Sequence, residues 1–253
     1  MFKHAVIALA ALAAVGSGAV AADLNVYGPG GPLPAMKEAA AAFGKLNGIE
    51  VNVTAGPTSA WIDKAREDAD LIFSGSETMM TDFVAAMNGQ VRSEEVEPLY
   101  LRAASILVRP GNPRQIRGLS DLMKPGMKVL VVQGAGQNGL WEDVAGRTGR
   151  IEEVRRLRAN IAFFSPNSAA AKQKWTEDQT FDAWIIWNIW QVANPTLADT
   201  VDIDADHRVY RDVGVVPSAR GREKPNAAAF VAFLKSPEGA RIFQKWGWIT
   251  PAS

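Results

Sequence analysis

LNVYGPGGPLPAMKE, residues 24–38, decides how this chain is read. Leu24, Val26 and Tyr27 form a short apolar run that predicts a first β-strand. The strand runs directly into Gly28-Pro29-Gly30-Gly31, then Pro32 and Pro34, and then a helical pattern. Glycine lets the backbone turn sharply and approach a ligand with no Cβ in the way. Proline at a helix start loses no hydrogen bond, because the first N–H groups have no partner inside the helix. Those free N–H groups, with the helix dipole behind them, attract an anion without any charged side chain. The expectation is that several such strand–turn–helix units converge on one small anionic ligand.

Outward from this stretch the unit repeats. Met36, Ala39, Ala40 and Phe43 predict a core-facing helix over residues 33–46, stopped by Asn47-Gly48. Residues 49–53 alternate as a second strand and end in Ala55-Gly56-Pro57-Thr58-Ser59, where Thr58 or Ser59 is expected to cap the next helix. Residues 69–73 give a third strand, ending in Ser74-Gly75-Ser76-Glu77 before Met79, Met80, Phe83, Val84 and Met87 at helical spacing. Alternating strands and helices imply a parallel sheet with helices on its faces. Ligands bind such sheets beyond the carboxyl ends of the strands. The turns at 28–31, 56–59 and 74–76 should therefore share one edge. None contains Lys or Arg, so an anion there would be held by backbone N–H groups and hydroxyls.

Residues 97–109, EPLYLRAASILVR, predict a long extended connection, and Pro110-Gly111-Asn112-Pro113 then breaks the chain. A second series follows: a strand at 128–132, the turn Gln133-Gly134-Ala135-Gly136-Gln137-Asn138-Gly139, and a helix with Leu140, Trp141 and Val144. Residues 151–160 read as a basic amphipathic helix with a solvated face. Strands at 161–164 and 183–187 end in Ser165-Pro166-Asn167-Ser168 and Trp187-Asn188. In the second of these Trp184 and Ile186 are expected in the core, with Trp187 at the wall of a cleft. Residues 201–203 add a strand, 209–216 a return connection, and 227–234 and 237–246 two closing helices. The fold class expected is α/β in two lobes, each a mostly parallel sheet flanked by helices. The boundaries expected are 22–104 plus 210–253 for one lobe and 105–209 for the other, with the two crossover strands as a hinge.

The chain has 253 residues, zero formal net charge and no cysteine. No global field draws it to nucleic acid or to an acidic membrane, and disulfides and thiolate chemistry are excluded. Lys3 and His4, an apolar run over 5–15 and the small-x-small Ala19-Val20-Ala21 predict a cleaved secretory signal peptide at 1–21. A Gram-negative periplasm is the location this implies. Gly134-x-Gly136-x-x-Gly139 has dinucleotide-fingerprint spacing, but no carboxylate closes the next strand. Asp202-x-Asp204-x-Asp206 lacks the central glycine and distal glutamate of a calcium loop and reads as a solvated turn. Beyond the leader the only histidine is His207, and no Gly-x-Ser-x-Gly elbow occurs. No catalytic residue, metal or cofactor is expected.

The order of elements resembles the type II periplasmic solute-binding proteins, the sulfate- and molybdate-binding branch in particular. VYGPGGP at 26–32, DADLIFSGSE at 68–77 and WNIWQVANP at 187–195 are similar to the accessory colonisation factor C family. The resemblance implies a first ligand loop with Gly30 and Gly31, a second with Ser59 and a third with Ser74 and Ser76. The second lobe would offer Gly136, Gln137 and Asn138, then Asn167 and Ser168, then Asn188. It also implies a monomer that delivers a sulfate-like oxyanion to an inner-membrane ABC permease, or presents it to a sensor. The first loop is Gly-Pro-Gly-Gly rather than serine-rich, which keeps a small organic acid open. Arg109 and Arg220 are the basic side chains considered for the cleft. An exported enzyme on the same fold is the competing class.

Overall fold

The structure, a computed structural model, describes residues 23–251; the expected signal peptide lies outside them. The first series is β1 (Leu24–Gly28), α1 (Leu33–Asn47), β2 (Val51–Ala55), α2 (Ile62–Asp68), β3 (Leu71–Phe73) and α3 (Glu77–Ala86), and β4 (Glu97–Val108) leaves it. The second series comprises α4 (Leu119–Leu122), β5 (Val129–Val132), α5 (Leu140–Gly146), α6 (Ile151–Asn160), β6 (Ile161–Ser165), α7 (Ser168–Glu177), β7 (Ala183–Trp187), α8 (Ile189–Val192) and β8 (Asp199–Asp202). Then β9 (Tyr210–Pro217) returns, and α9 (Ala219–Arg222), α10 (Pro225–Leu234) and α11 (Pro237–Lys245) close the chain.

The strands run in the order β2-β1-β3-β9-β4-β7-β5-β6, with β8 also paired to β4. The β2-β1-β3 and β7-β5-β6 groups are each parallel. The long strands β4 and β9 pair antiparallel with each other and join the two groups. This is the two-lobed α/β arrangement expected, each group a parallel sheet reached through the crossover strands.

Strand alternation divides the packing. Leu71 and Phe73 of β3 enter the main core, whereas Ile72 faces a second cluster with Tyr27, Trp61 and Phe83. Both faces of the sheet are thus covered, as a parallel sheet requires. On α1 the buried Met36, Ala39, Ala40 and Phe43 form the stripe predicted, and Gly48 ends the helix at φ 68°, a left-handed conformation that glycine adopts at little cost. Burial at β3 includes the fully buried Asp70, whose carboxylate accepts from the Asn25 N–H at 2.8 Å and pairs with Arg220 at 3.0 Å and Lys224 at 2.8 Å. These bonds pin α9 and the start of α10 to the sheet.

Two local expectations are corrected. Neither Thr58 nor Ser59 caps a helix; they form a 3-10 turn, and α2 starts after Trp61 with no side-chain cap. Trp187 joins Trp184 and Ile186 in full burial rather than walling a cleft. It is the last residue of β7, and alternate side chains of that strand are buried on both faces.

Candidate functional site

The loops after β1, β2, β3, β5 and β6 meet around a small cavity of about 110 Å³. Gly30, Gly31 and Pro32 enter from the start of α1, and Gly75 from just before α3. Gly136 and Gln137 enter from the turn after β5, and Asn167 and Ser168 from the start of α7. The turn after β5 touches the first series directly. A Cβ on Gly136 would stand 2.9 Å from Met79 Cε and 3.2 Å from Ser76 Oγ, so glycine there lets the two sides close.

Helix starts supply donors. Among the described residues, the N–H groups of Gly30, Gly31, Gly75, Ser168 and Ala169 make no hydrogen bond. They stand at or just before the N-termini of α1, α3 and α7, where unpaired N–H groups and the helix dipole favour negative charge. Side chains complete the caps without using these donors: Ser76 Oγ accepts from Met79 N at 3.2 Å and Asn167 Oδ1 from Ala170 N at 2.9 Å. Across the cavity Gln137 Nε2 donates to Ser168 Oγ at 2.5 Å.

One wall is a cation that the sequence reading did not place there. Arg102, on β4, lines the cavity and is only 3 % exposed. Its guanidinium is held between Trp187, 4.6 Å from the ring centroid, and Trp248, at 5.3 Å. Among the described residues its one hydrogen bond runs from Nη2 to the Gly75 carbonyl, and no carboxylate oxygen lies within 4.0 Å. Nε is buried without a partner. Nη1 faces the first loop, within 3.0 Å of where a Gly31 Cβ would be. Burial lowers the Arg102 pKa to about 9, with the Asp212 carboxylate opposing the fall and Arg211 adding to it. The group therefore stays charged at neutral pH, buried and unpaired. Such a charge is costly unless something compensates it.

Six of the residues considered from sequence meet at this cavity: Gly30, Gly31, Gly136, Gln137, Asn167 and Ser168. The others lie elsewhere. Ser59 is exposed on its 3-10 turn, and Asn138 is exposed beyond Gln137. Ser74 is fully buried and accepts from Gly214 N at 3.3 Å, and Ser76 is occupied as the cap of α3. Trp187 lies beneath Arg102, and Asn188 Nδ2 donates to the Gly247 carbonyl at 2.7 Å. Arg109 stacks on Trp175 at 3.6 Å and donates to the carbonyls of Trp175, Asp178 and Phe181. Arg220 is paired with Asp70, so neither of these arginines lines the cavity. Pro29, Gly56, Pro57 and Gly75 line it from the turns expected to share one edge, and the lining residues missed are Arg102, Met79, Ala169 and Trp190. The signal for Arg102 was present: it is the one charge within the otherwise apolar or small-residue run 99–108 of a strand that had to be buried.

Known proteins give the context. The structure matches PEB3 with bound L-phospholactate at a TM-score of 0.85 and 38% identity, covering 90% of this chain and 99% of that one. Peb3 from Campylobacter jejuni matches at 0.84 and 37%, with the same coverage. The sulfate-binding protein SubI from Mycobacterium tuberculosis H37Rv matches at 0.74 and 17% identity, over 89% of this chain and 85% of that one, and shares the fold. So does the periplasmic molybdate-binding protein of Azotobacter vinelandii, at 0.68 and 16%, over 91% and 100%. Comparison with curated proteins yields no match. The model for bacterial extracellular solute-binding proteins matches residues 24–249. With that span and a 38% identical relative covered almost end to end, the chain belongs to the bacterial extracellular solute-binding protein family.

Proposed function

We propose that this protein captures a small organic anion, a phosphorylated or carboxylated acid of about PEB3's ligand size, in the cavity around Arg102. The carrying observation is that, among the described residues, a buried, charged guanidinium with an unbonded Nη1 meets five free backbone N–H groups with no carboxylate in the lining. A planar guanidinium matches carboxylate and phosphoryl oxygens in pairs, and bonds to an ionised group are worth about 1.5–3 kcal/mol each. The sulfate-like reading assumed a site without cationic side chains; Arg102 favours an acid able to use its fork. The 38% identical PEB3 with L-phospholactate supports the same class.

On this reading 22–104 with 210–253 forms one lobe and 105–209 the other, β4 and β9 act as the hinge, and Gly136 against Ser76 and Met79 is the closed contact. The protein works as a periplasmic monomer that hands its solute to an inner-membrane ABC importer. Family and relatives are binding proteins, and binding without turnover is the activity proposed. A thermal-shift panel of L-phospholactate, phosphate, sulfate, molybdate, short dicarboxylates and a neutral sugar tests it. Ligand binding raises the melting temperature by mass action. Organic phosphates or carboxylates should give the largest shift; a shift with the sugar alone would refute the reading.

A further inference from the structure

We propose that Trp190 sets the length of ligand the site accepts; the inference rests on the anion reading above. Trp190 lies on the single turn α8 and forms part of two walls at once. One side lines the cavity beside Gly31 and Arg102. The other lines an open groove along α7, with Lys172, Gln173, Thr176 and Glu177. Among the described residues, Ala169 is the only other one common to both. The indole thus stands between the anion cavity and an open groove along α7.

Its position is fixed. The ring packs on Trp184 at 6.3 Å between centroids, Asn194 Nδ2 donates to the Trp190 carbonyl at 2.9 Å, and Lys172 of α7 donates to Asn194 Oδ1 at 2.5 Å. The turn that carries the indole is therefore tied to the helix on the far side of the groove. Trp190 Nε1 is buried and makes no hydrogen bond, and it stands 3.9 Å from the Gly31 Cβ position, where Arg102 Nη1 also points. An indole N–H is a donor only, and buried donors normally find a partner. The indole N–H thus faces the same end of the cavity as Arg102, and an anion held by Arg102 can extend its chain toward the groove only where the indole stands. A longer chain would have to pass through the place of the indole to reach the groove.

The test is calorimetric titration of the full mature protein with L-phospholactate and with 6-phosphogluconate, a chain-extended phosphorylated acid. Wild type should prefer the short acid by about a hundredfold or more, as a wall rejects added atoms. Trp190→Ala should cut that preference below about tenfold by opening the cavity into the groove. Trp190→Phe keeps the wall but loses the N–H. It should hold the preference while weakening both ligands by about tenfold, the effect of one lost bond of about 1.4 kcal/mol. Should Trp190→Ala not fold, Trp190→Leu makes the same comparison. An unchanged preference in the small-side-chain variant overturns the proposal while the anion reading stands. An unchanged affinity in Trp190→Phe overturns the donor role. No binding of either acid to wild type overturns both readings.

Discussion

Replacing Arg102 with methionine should separate binding from folding. Methionine fills much of the same space between Trp187 and Trp248 and carries no charge. Two charge-assisted bonds to an anion are worth together at least about 3 kcal/mol, so affinity for L-phospholactate should fall by a hundredfold or more. Folding behaves differently. Lowering the Arg102 pKa from its ordinary value to about 9 corresponds to about 5 kcal/mol of unfavourable burial, an order-of-magnitude figure. Stacking on two indoles returns about 0.5–2 kcal/mol each, and the bond to the Gly75 carbonyl about 1.5–3. These terms nearly cancel. At about 2–4 °C per kcal/mol for a chain of this size, the unliganded melting temperature should stay within about 5 °C of wild type. Differential scanning calorimetry with and without ligand reads both effects. A variant that binds within threefold of wild type, or that loses stability by far more than 5 °C, would show that Arg102 serves the fold and not the ligand.

Binding should depend on pH through the same group. The anion binds the protonated guanidinium, so affinity should hold below about pH 9 and then decline as pH rises, which titration from pH 7 to 10.5 would measure. A flat profile would place the charge elsewhere. Gly136→Val should weaken binding by about tenfold or more with little effect on melting temperature, because the added atoms oppose closure against Met79 and Ser76. Small-angle scattering in saturating ligand should show the variant less compact than wild type. Asp70→Asn should destabilise by about 3 kcal/mol, a fall of about 6–12 °C, since two cations lose their buried carboxylate. Its ligand affinity per folded molecule should be unchanged.

Local chemistry made the frame readable. Residues 24–38 carry their own turn, helix start and apolar stripe, and the strand–turn–helix order alone dictates a parallel sheet with its loops on one edge. The glycines and the Asn167-Ser168 pair at the cavity follow from that edge. Serines were harder, because a serine in such a turn either faces the ligand or satisfies the backbone. Ser76 caps α3 and Ser74 bonds across to β9, uses that depend on atoms far away in sequence. Arg102 was hidden for the same reason. It sits on the crossover strand, and its role appears only when β4 passes behind the loops of both series. Trp187 was placed at the wall of a cleft, but β7 ends at it, leaving Trp187 beneath the guanidinium and Trp190, three residues on, at the wall.

A crystal structure of the protein soaked with L-phospholactate tests the central claim most directly. One anion should lie enclosed between the loops of the two series, with an oxygen within about 3 Å of Arg102 Nη1 and others on the N–H groups of Gly31 and Ser168. An empty cavity with the ligand bound elsewhere, or a closed site filled by a neutral solute that leaves the guanidinium untouched, would contradict it.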